Sequence, residues 1–308
     1  MRIGIIGAGA LGCLHGVYLA EDGHDVTLID VREDLVDAIG RAGVRVDGVR
    51  GEHHAVVNAA TPKTAGGPVD LVIVVAHTDG TRSAAQLAAK LVSDDGVAIT
   101  FQNGIGNVEA LVETMGQERV LGGVSYNSVT FNTPGVVTHT NPGPTWIGEL
   151  GGDVSSRVGG LSRTLERAGF EVQVSDNIIG VIWNKFVQSC AIHPICALSG
   201  LLAGEIAGVP EANDLQDRAL EEALAVVKAR GITLSVDNPV AAIKKASSTV
   251  MIQPSMLQHV EQGRATEIDS QNGALVREGK VLGIATPYNE ALTFLVKART
   301  AQRSARSQ

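Results

Sequence analysis

The stretch RIGIIGAGALGCLHGVYLAEDGHDVTLID, residues 2–30, constrains the fold more than any other part of the chain. Arg2 to Ile6 reads as a short buried strand, and three glycines follow at once as Gly7-x-Gly9-x-x-Gly12. A helix is expected from about Ala10 to Glu21, then a second strand from Asp25 to Ile29 that closes on an acid, Asp30. A bare glycine triplet is a weak signal, but strand, glycines, helix, strand and terminal acid in that order describe a dinucleotide-binding βαβ unit. The three glycines differ in what they do. Gly7 makes the tight turn, Gly9 admits the pyrophosphate to the backbone, and Gly12 lets helix and strand pack closely. The loop Gly7, Ala8, Gly9, Ala10, Leu11 and Gly12 then offers helix N–H groups and a positive dipole end to phosphates.

Asp30 stands 18 residues after Gly12, where a carboxylate accepts hydrogen bonds from ribose hydroxyls and repels a 2′-phosphate. That favours NAD. Arg32, two residues on, can serve a 2′-phosphate instead and keeps NADP open. The α/β pattern continues with VDLVIVVAHTDG (69–80), a helix over roughly 79–92 and the strand GVAITF (96–101), directly followed by QNGIGN (102–107). Ligands in open α/β sheets lie beyond strand C-termini, so Asn103 is a candidate for contact with nicotinamide or substrate, with a simple Asn-Gly turn as the alternative. Short strands within 119–149 are expected to extend the sheet with antiparallel strands, and a helix near 155–168 and the strand EVQVS complete the unit.

From Asn177 the hydrophobic period changes from two to about 3.6. Helices are expected at roughly 178–193, 211–230, 239–249, 255–262, 267–279 and 287–303. The fold class is therefore α/β, a Rossmann-type domain over residues 1–175 followed by an all-helical domain over 176–308 with a short basic tail. A dinucleotide domain joined to a helical one is expected to form its active site in the cleft between them. In IIGVIWNKFVQSCAIHPICAL (178–198), Lys185, Ser189 and His193 recur every four residues inside an otherwise apolar segment. Each step of four adds about 40° to a full turn, so all three share one helix face. Pro194 marks an end or a kink.

Composition excludes several function classes. The chain has 308 residues and a net charge of −8, which disfavours a nucleic-acid partner. Its three cysteines, Cys13, Cys190 and Cys196, form no C-x-x-C pair, so neither a disulfide framework nor a metal site is expected. No apolar run reaches membrane-spanning length, the start reads as a strand rather than a signal peptide, and a cytoplasmic protein is expected. The apolar helices near 211–230 and 287–300 fit packing within the domain or a homodimer.

GAGALG (7–12), QNGIG (102–106), WNKFVQSCAIHPICAL (183–198), PSMLQ (254–258) and TEIDSQNGALV (266–276) together resemble the ketopantoate reductase (2-dehydropantoate 2-reductase) family over almost the whole chain. The resemblance implies reduction of ketopantoate to pantoate with a nicotinamide cofactor, usually NADPH. It makes Lys185 the catalytic lysine and Glu267 the acid that holds a substrate hydroxyl and helps fix the lysine. It also puts Ser255 at the substrate carboxylate and Asn103 beside the nicotinamide. The bland readings are a snorkelling Lys185, a first-turn acid at Glu267 and an N-cap at Ser255.

Two departures stand out. Members that reduce ketopantoate commonly carry asparagine where this chain has Ser189 and His193, which changes the hydrogen bonds offered to a keto or hydroxy acid. His193 also fits a satisfied core histidine. Where the family usually has lysine after the LVIVV strand, this chain has His77, which with Asp30 favours NAD. The alternatives are an NAD-dependent dehydrogenase oxidising another hydroxy acid, and a dinucleotide sensor without turnover.

Overall fold

The computed structural model describes residues Met1–Arg306, with side chains as far as Gln302; the last two residues of the expected tail lie outside the described residues. The chain divides into two compact units, one of residues 1–102 and 106–178, the other of Asn103–Ile105 and the chain from Ile179 onward.

The first unit opens with β1 (Arg2–Ile6), α1 (Ala10–Glu21) and β2 (Asp25–Ile29), followed by α2 (Glu33–Ala42), β3 (Val44–Gly48), β4 (His53–Ala55) and β5 (Asn58–Ala60). Next come β6 (Val69–Val74), α3 (Thr81–Leu91), β7 (Val92–Thr100), α4 (Asn107–Met115), β8 (Val120–Ser125), β9 (Ser128–Thr133), β10 (Val136–Asn141), β11 (Thr145–Glu149), α5 (Ser156–Arg167) and β12 (Val172–Val174). An eight-stranded sheet runs in the order β12-β11-β8-β7-β6-β1-β2-β5. It is parallel except where β11 meets β8. Its central strands are apolar on both faces, with Ile3, Ile5, Leu71 and Ile73 enclosed on one and Val72 and Val74 on the other, as parallel strands between helices must be.

β11, with β12 parallel beside it, extends this sheet in the antiparallel sense. β9 and β10, expected to do the same, pair instead with β3 and β4 in a separate four-stranded sheet. The physical reason is local. The free edge of β8 is taken by β11, and the Asn127 amide donates to the Gly143 carbonyl, so the intervening chain leaves the main sheet. That small sheet buries Val46 and Val137 in the unit's core, and His139 meets the Tyr18 hydroxyl of α1 at 3.2 Å.

The second unit is helical among its described residues: α6 (Ile178–Ser199), α7 (Pro210–Ala229), α8 (Pro239–Thr249), α9 (Ser255–Glu261), α10 (Asn272–Leu282) and α11 (Pro287–Arg306). α6 passes through Pro194 rather than ending there. It buries Trp183, Phe186, Val187, Cys190, Ile192 and Ile195 against Leu220, Val226 and Leu275. The α11 terminus is capped from α7, because the Glu222 carboxylate accepts the Tyr288 and Asn289 N–H groups at 2.9 and 3.0 Å. α11 continues further than the sequence suggests, through to Arg306.

Residues 103–105, expected with the first domain, belong to the second unit. Ile105 packs on the helical core, and Gly104, at φ +85°, passes so close to the Ser270 carbonyl that a Cβ would overlap it. Among the described residues no helix is long and apolar enough to cross a membrane.

Candidate active site

In the first unit the glycine loop has the form the phosphate-binding reading requires. Gly7 sits at φ +107°, and a Cβ there would meet the Ala76 backbone nitrogen at 2.6 Å. A Cβ on Gly12 would overlap the Gly7 carbonyl oxygen, so strand and helix approach as only glycine allows. Gly9 is different: a Cβ there meets nothing within 4 Å. Two glycines are demanded by the protein's own packing, and the third leaves open the ground over the start of α1. That terminus carries no side-chain cap and no acid in its first turn, which leaves the N–H groups around Ala10 and Leu11 for an anion. The arrangement fits a dinucleotide pyrophosphate.

Asp30 does something the spacing did not disclose. Its Oδ2 accepts the Ala8 N–H at 2.9 Å and its Oδ1 the Arg32 N–H at 3.0 Å, so the carboxylate at the end of β2 braces the glycine turn. Ala8 is thereby engaged with protein rather than free for phosphate. An ionised carboxylate has about four lone-pair sites, so two stay available to ribose hydroxyls. The Arg32 guanidinium turns away to Asp34 at 2.6 Å, and the half-exposed His77 pairs with Asp79 at 2.9 Å. Gln102 holds the loop that carries His77: its Nε2 donates to the Ala76 carbonyl and to Thr81 Oγ1, both at 2.9 Å. Sequence reasoning passes over Gln102, whose only signal is its place beside Asn103.

In the second unit α6 presents Lys185, Ser189 and His193 along one face of a helix that is otherwise largely apolar all round. Lys185 keeps some accessible surface, yet it is enclosed deeply enough that burial draws its pKa from 10.5 to about 8. The Glu267 charge opposes that drop. Glu267 is not a first-turn acid, because α10 starts only at Asn272. Its carbonyl accepts the N–H groups of Ser270 and Gln271, so the chain turns before the helix begins. Its Oε2 accepts from Asn103 Nδ2 at 2.9 Å, which makes Asn103 more than a turn residue.

His193 is held neutral. Burial lowers its pKa from 6.5 to about 4 and the Lys185 charge adds to the effect, while Gln271 acts in the opposite direction. Gln271, 0% exposed, lies against this ring. Neither of its amide atoms meets a partner at good hydrogen-bond geometry, and the buried Nδ1 of the ring has none. Ser189 is buried between Lys185 and His193 along the face. Ser255 opens α9, but Pro254 occupies the N-cap position, so a simple N-cap does not account for this serine. The structure thus brings together Lys185, Glu267 and Asn103, and adds Gln271 beside His193.

Residues 3–152 match the ketopantoate reductase PanE/ApbA family, and residues 177–300 match its C-terminal family, ketopantoate reductase PanE/ApbA C terminal. The chain belongs to the ketopantoate reductase family. It is 33% identical to the 2-dehydropantoate 2-reductase of Pyrococcus horikoshii over 97% of both chains. To that of Archaeoglobus fulgidus it is 31% identical, over 96% of this chain and 97% of the other. Among solved structures, a PanE/ApbA family ketopantoate reductase from Ralstonia eutropha superposes with a TM-score of 0.89 at 30% identity, covering 98% of this chain and 99% of that one. A D-mandelate dehydrogenase in ternary complex with NADH and anilino(oxo)acetate superposes at 0.91 with 27% identity and the same coverage. As a ketopantoate reductase family member the chain is an oxidoreductase that uses a nicotinamide dinucleotide. Among the described residues no group of three or more His, Cys, Asp and Glu side chains is placed to hold a metal ion.

Proposed function

We propose that the protein reduces the ketone of a small 2-keto acid, 2-dehydropantoate in the first instance, with NADH preferred to NADPH. The observation that carries this reading is Lys185: a lysine enclosed on α6, drawn down to about 8 by burial and kept charged near neutrality by Glu267. When bound, the nicotinamide supplies or accepts the hydride. Lys185 then gives a proton to the oxygen of the former ketone and stabilises the negative charge that grows there. Glu267, oriented by Asn103, keeps Lys185 protonated and accepts a substrate hydroxyl hydrogen bond. Ser255 and Ser189 serve the substrate carboxylate and the hydroxy-acid part, and neutral His193 offers one donor and one acceptor.

The NADH preference rests on Asp30, whose braced carboxylate opposes a 2′-phosphate, and on the turn of Arg32 toward Asp34. A second reading, NAD-dependent oxidation of a different 2-hydroxy acid, is favoured by Ser189 and His193. It draws further support from the likeness to a D-mandelate dehydrogenase that binds NADH. Initial rates of NADH and NADPH oxidation with 2-dehydropantoate, alongside Lys185→Ala, test the proposal. Lysine-dependent turnover favouring NADH supports it. Binding of NADH without turnover of 2-dehydropantoate moves the assignment to the second reading, which a panel of 2-hydroxy acids with NAD then examines.

A further inference from the structure

Proline has no N–H, so Pro194 leaves the carbonyl four residues earlier, that of Cys190, without its helical donor. This carbonyl lies in the turn between Ser189 and His193, where any opening of the helix changes the bearing of His193 relative to Lys185. It is nevertheless satisfied. Asn272 Nδ2 donates to the Cys190 carbonyl at 2.9 Å, from a side chain with 0% exposure. The neighbouring carbonyl, Ala191, is approached by Gln216 Nε2 at a much looser 3.5 Å.

Asn272 ends the turn that carries Glu267 and Gln271. Within that turn the Glu267 carbonyl accepts Ser270 and Gln271 N–H groups, and Gly273 N–H donates to Ile268. Asn103 reaches the same turn through Glu267. We propose that Asn272 is a positioning residue: its amide supplies the donor that Pro194 withholds from Cys190, keeps the α6 turn between Ser189 and His193 closed, and so holds Lys185 and His193 to Glu267 and Gln271. The second hydrogen of this amide goes to Asn289 Oδ1 at 2.9 Å, which fixes the amide's orientation from α11. The inference rests on the reading of Lys185 as proton donor, but the bond it invokes exists whatever the substrate.

The test is a rescue. Pro194→Ala returns an N–H to the helix, so the Cys190 carbonyl no longer depends on Asn272. Asn272→Leu is expected to lower kcat at least tenfold and to move the basic limb of the pH profile below its wild-type position, because Glu267 no longer steadies the lysine charge. In Pro194→Ala/Asn272→Leu, kcat is expected within about threefold of Pro194→Ala alone, with the limb restored. Equal losses in both backgrounds overturn the proposal, as does an Asn272→Leu enzyme with a lower melting temperature but unchanged kcat, KM and pH limb. If Asn272→Leu fails to fold, the melting temperature of the double variant is decisive: recovery supports the donor role and its absence overturns it. The melting measurement does not depend on the reaction, so failure of the lysine assignment, read from an active Lys185→Ala, stays distinct from failure of this inference.

Discussion

In the first unit the glycine turn is fixed by near neighbours: Ala8 donates to Asp30, 22 residues along, and Gly12 closes on Gly7. In the second, Asn103 meets Glu267 across 164 residues, and Asn272 meets Cys190 across 82. The glycine loop is thus largely a local device, set by its own βαβ unit and by the backbone at Ala76 that crowds Gly7. The proposed catalytic cluster exists only when distant segments have packed. Backbone geometry dominates one, and side-chain amides and carboxylates dominate the other.

Substitutions that separate packing from binding sharpen this contrast. Gly12→Ala drives a Cβ into the Gly7 carbonyl and is expected to destabilise the fold by about 3 kcal/mol, read by chemical denaturation. Gly9→Ala adds a Cβ where no protein atom lies within 4 Å, so the melting temperature should hold. Its Kd for NADH, by fluorescence titration, should rise about tenfold, ~1.4 kcal/mol. Loss of stability with unchanged binding in Gly9→Ala would mean that the ground over α1 does not receive the phosphates. Asp30→Ala removes the brace and the repulsion together, and its NADPH to NADH ratio of kcat/KM should rise about tenfold.

The smallest effect concerns one buried histidine in each unit. His15, stacked between Phe101 and Phe170, and His193 both have pKa values lowered from 6.5 to about 4, chiefly by burial. Between those values the unfolded chain binds protons that the native protein refuses. Stability present above pH 6.5 is therefore lost as pH falls toward 4, at up to about 1.4 kcal/mol per pH unit for each ring. His193→Asn and His15→Phe should each flatten that slope in denaturation series between about pH 7 and pH 5. A slope unchanged in both would contradict neutral burial.

The same contrast explains what was legible in the sequence. Gly7, Gly9, Gly12 and Asp30 follow spacings set by one turn of backbone, so their arrangement could be read from the chain alone. Lys185, Ser189 and His193 announced a shared face through their period of four, but not what faces them. Asn103 entered through its place beyond a strand C-terminus and Glu267 through family resemblance, but their contact was not legible, because no local rule links positions 164 apart. Gln271 and Asn272 were hidden inside TEIDSQNGALV, and the overlooked signal was Pro194, whose missing N–H demands a donor from elsewhere. β9 and β10 went astray for a like reason, since alternation shows a strand without showing its partner.

The most direct test of the lysine assignment is the pH dependence of kcat for reduction in the wild type and in Glu267→Gln. Reduction needs the protonated lysine, so kcat should fall as pH rises through about 8. Removing the Glu267 charge, which raises that pKa, should carry the limb to lower pH. A profile that stays level past about pH 9, or a limb that moves upward in Glu267→Gln, would contradict Lys185 as the proton donor.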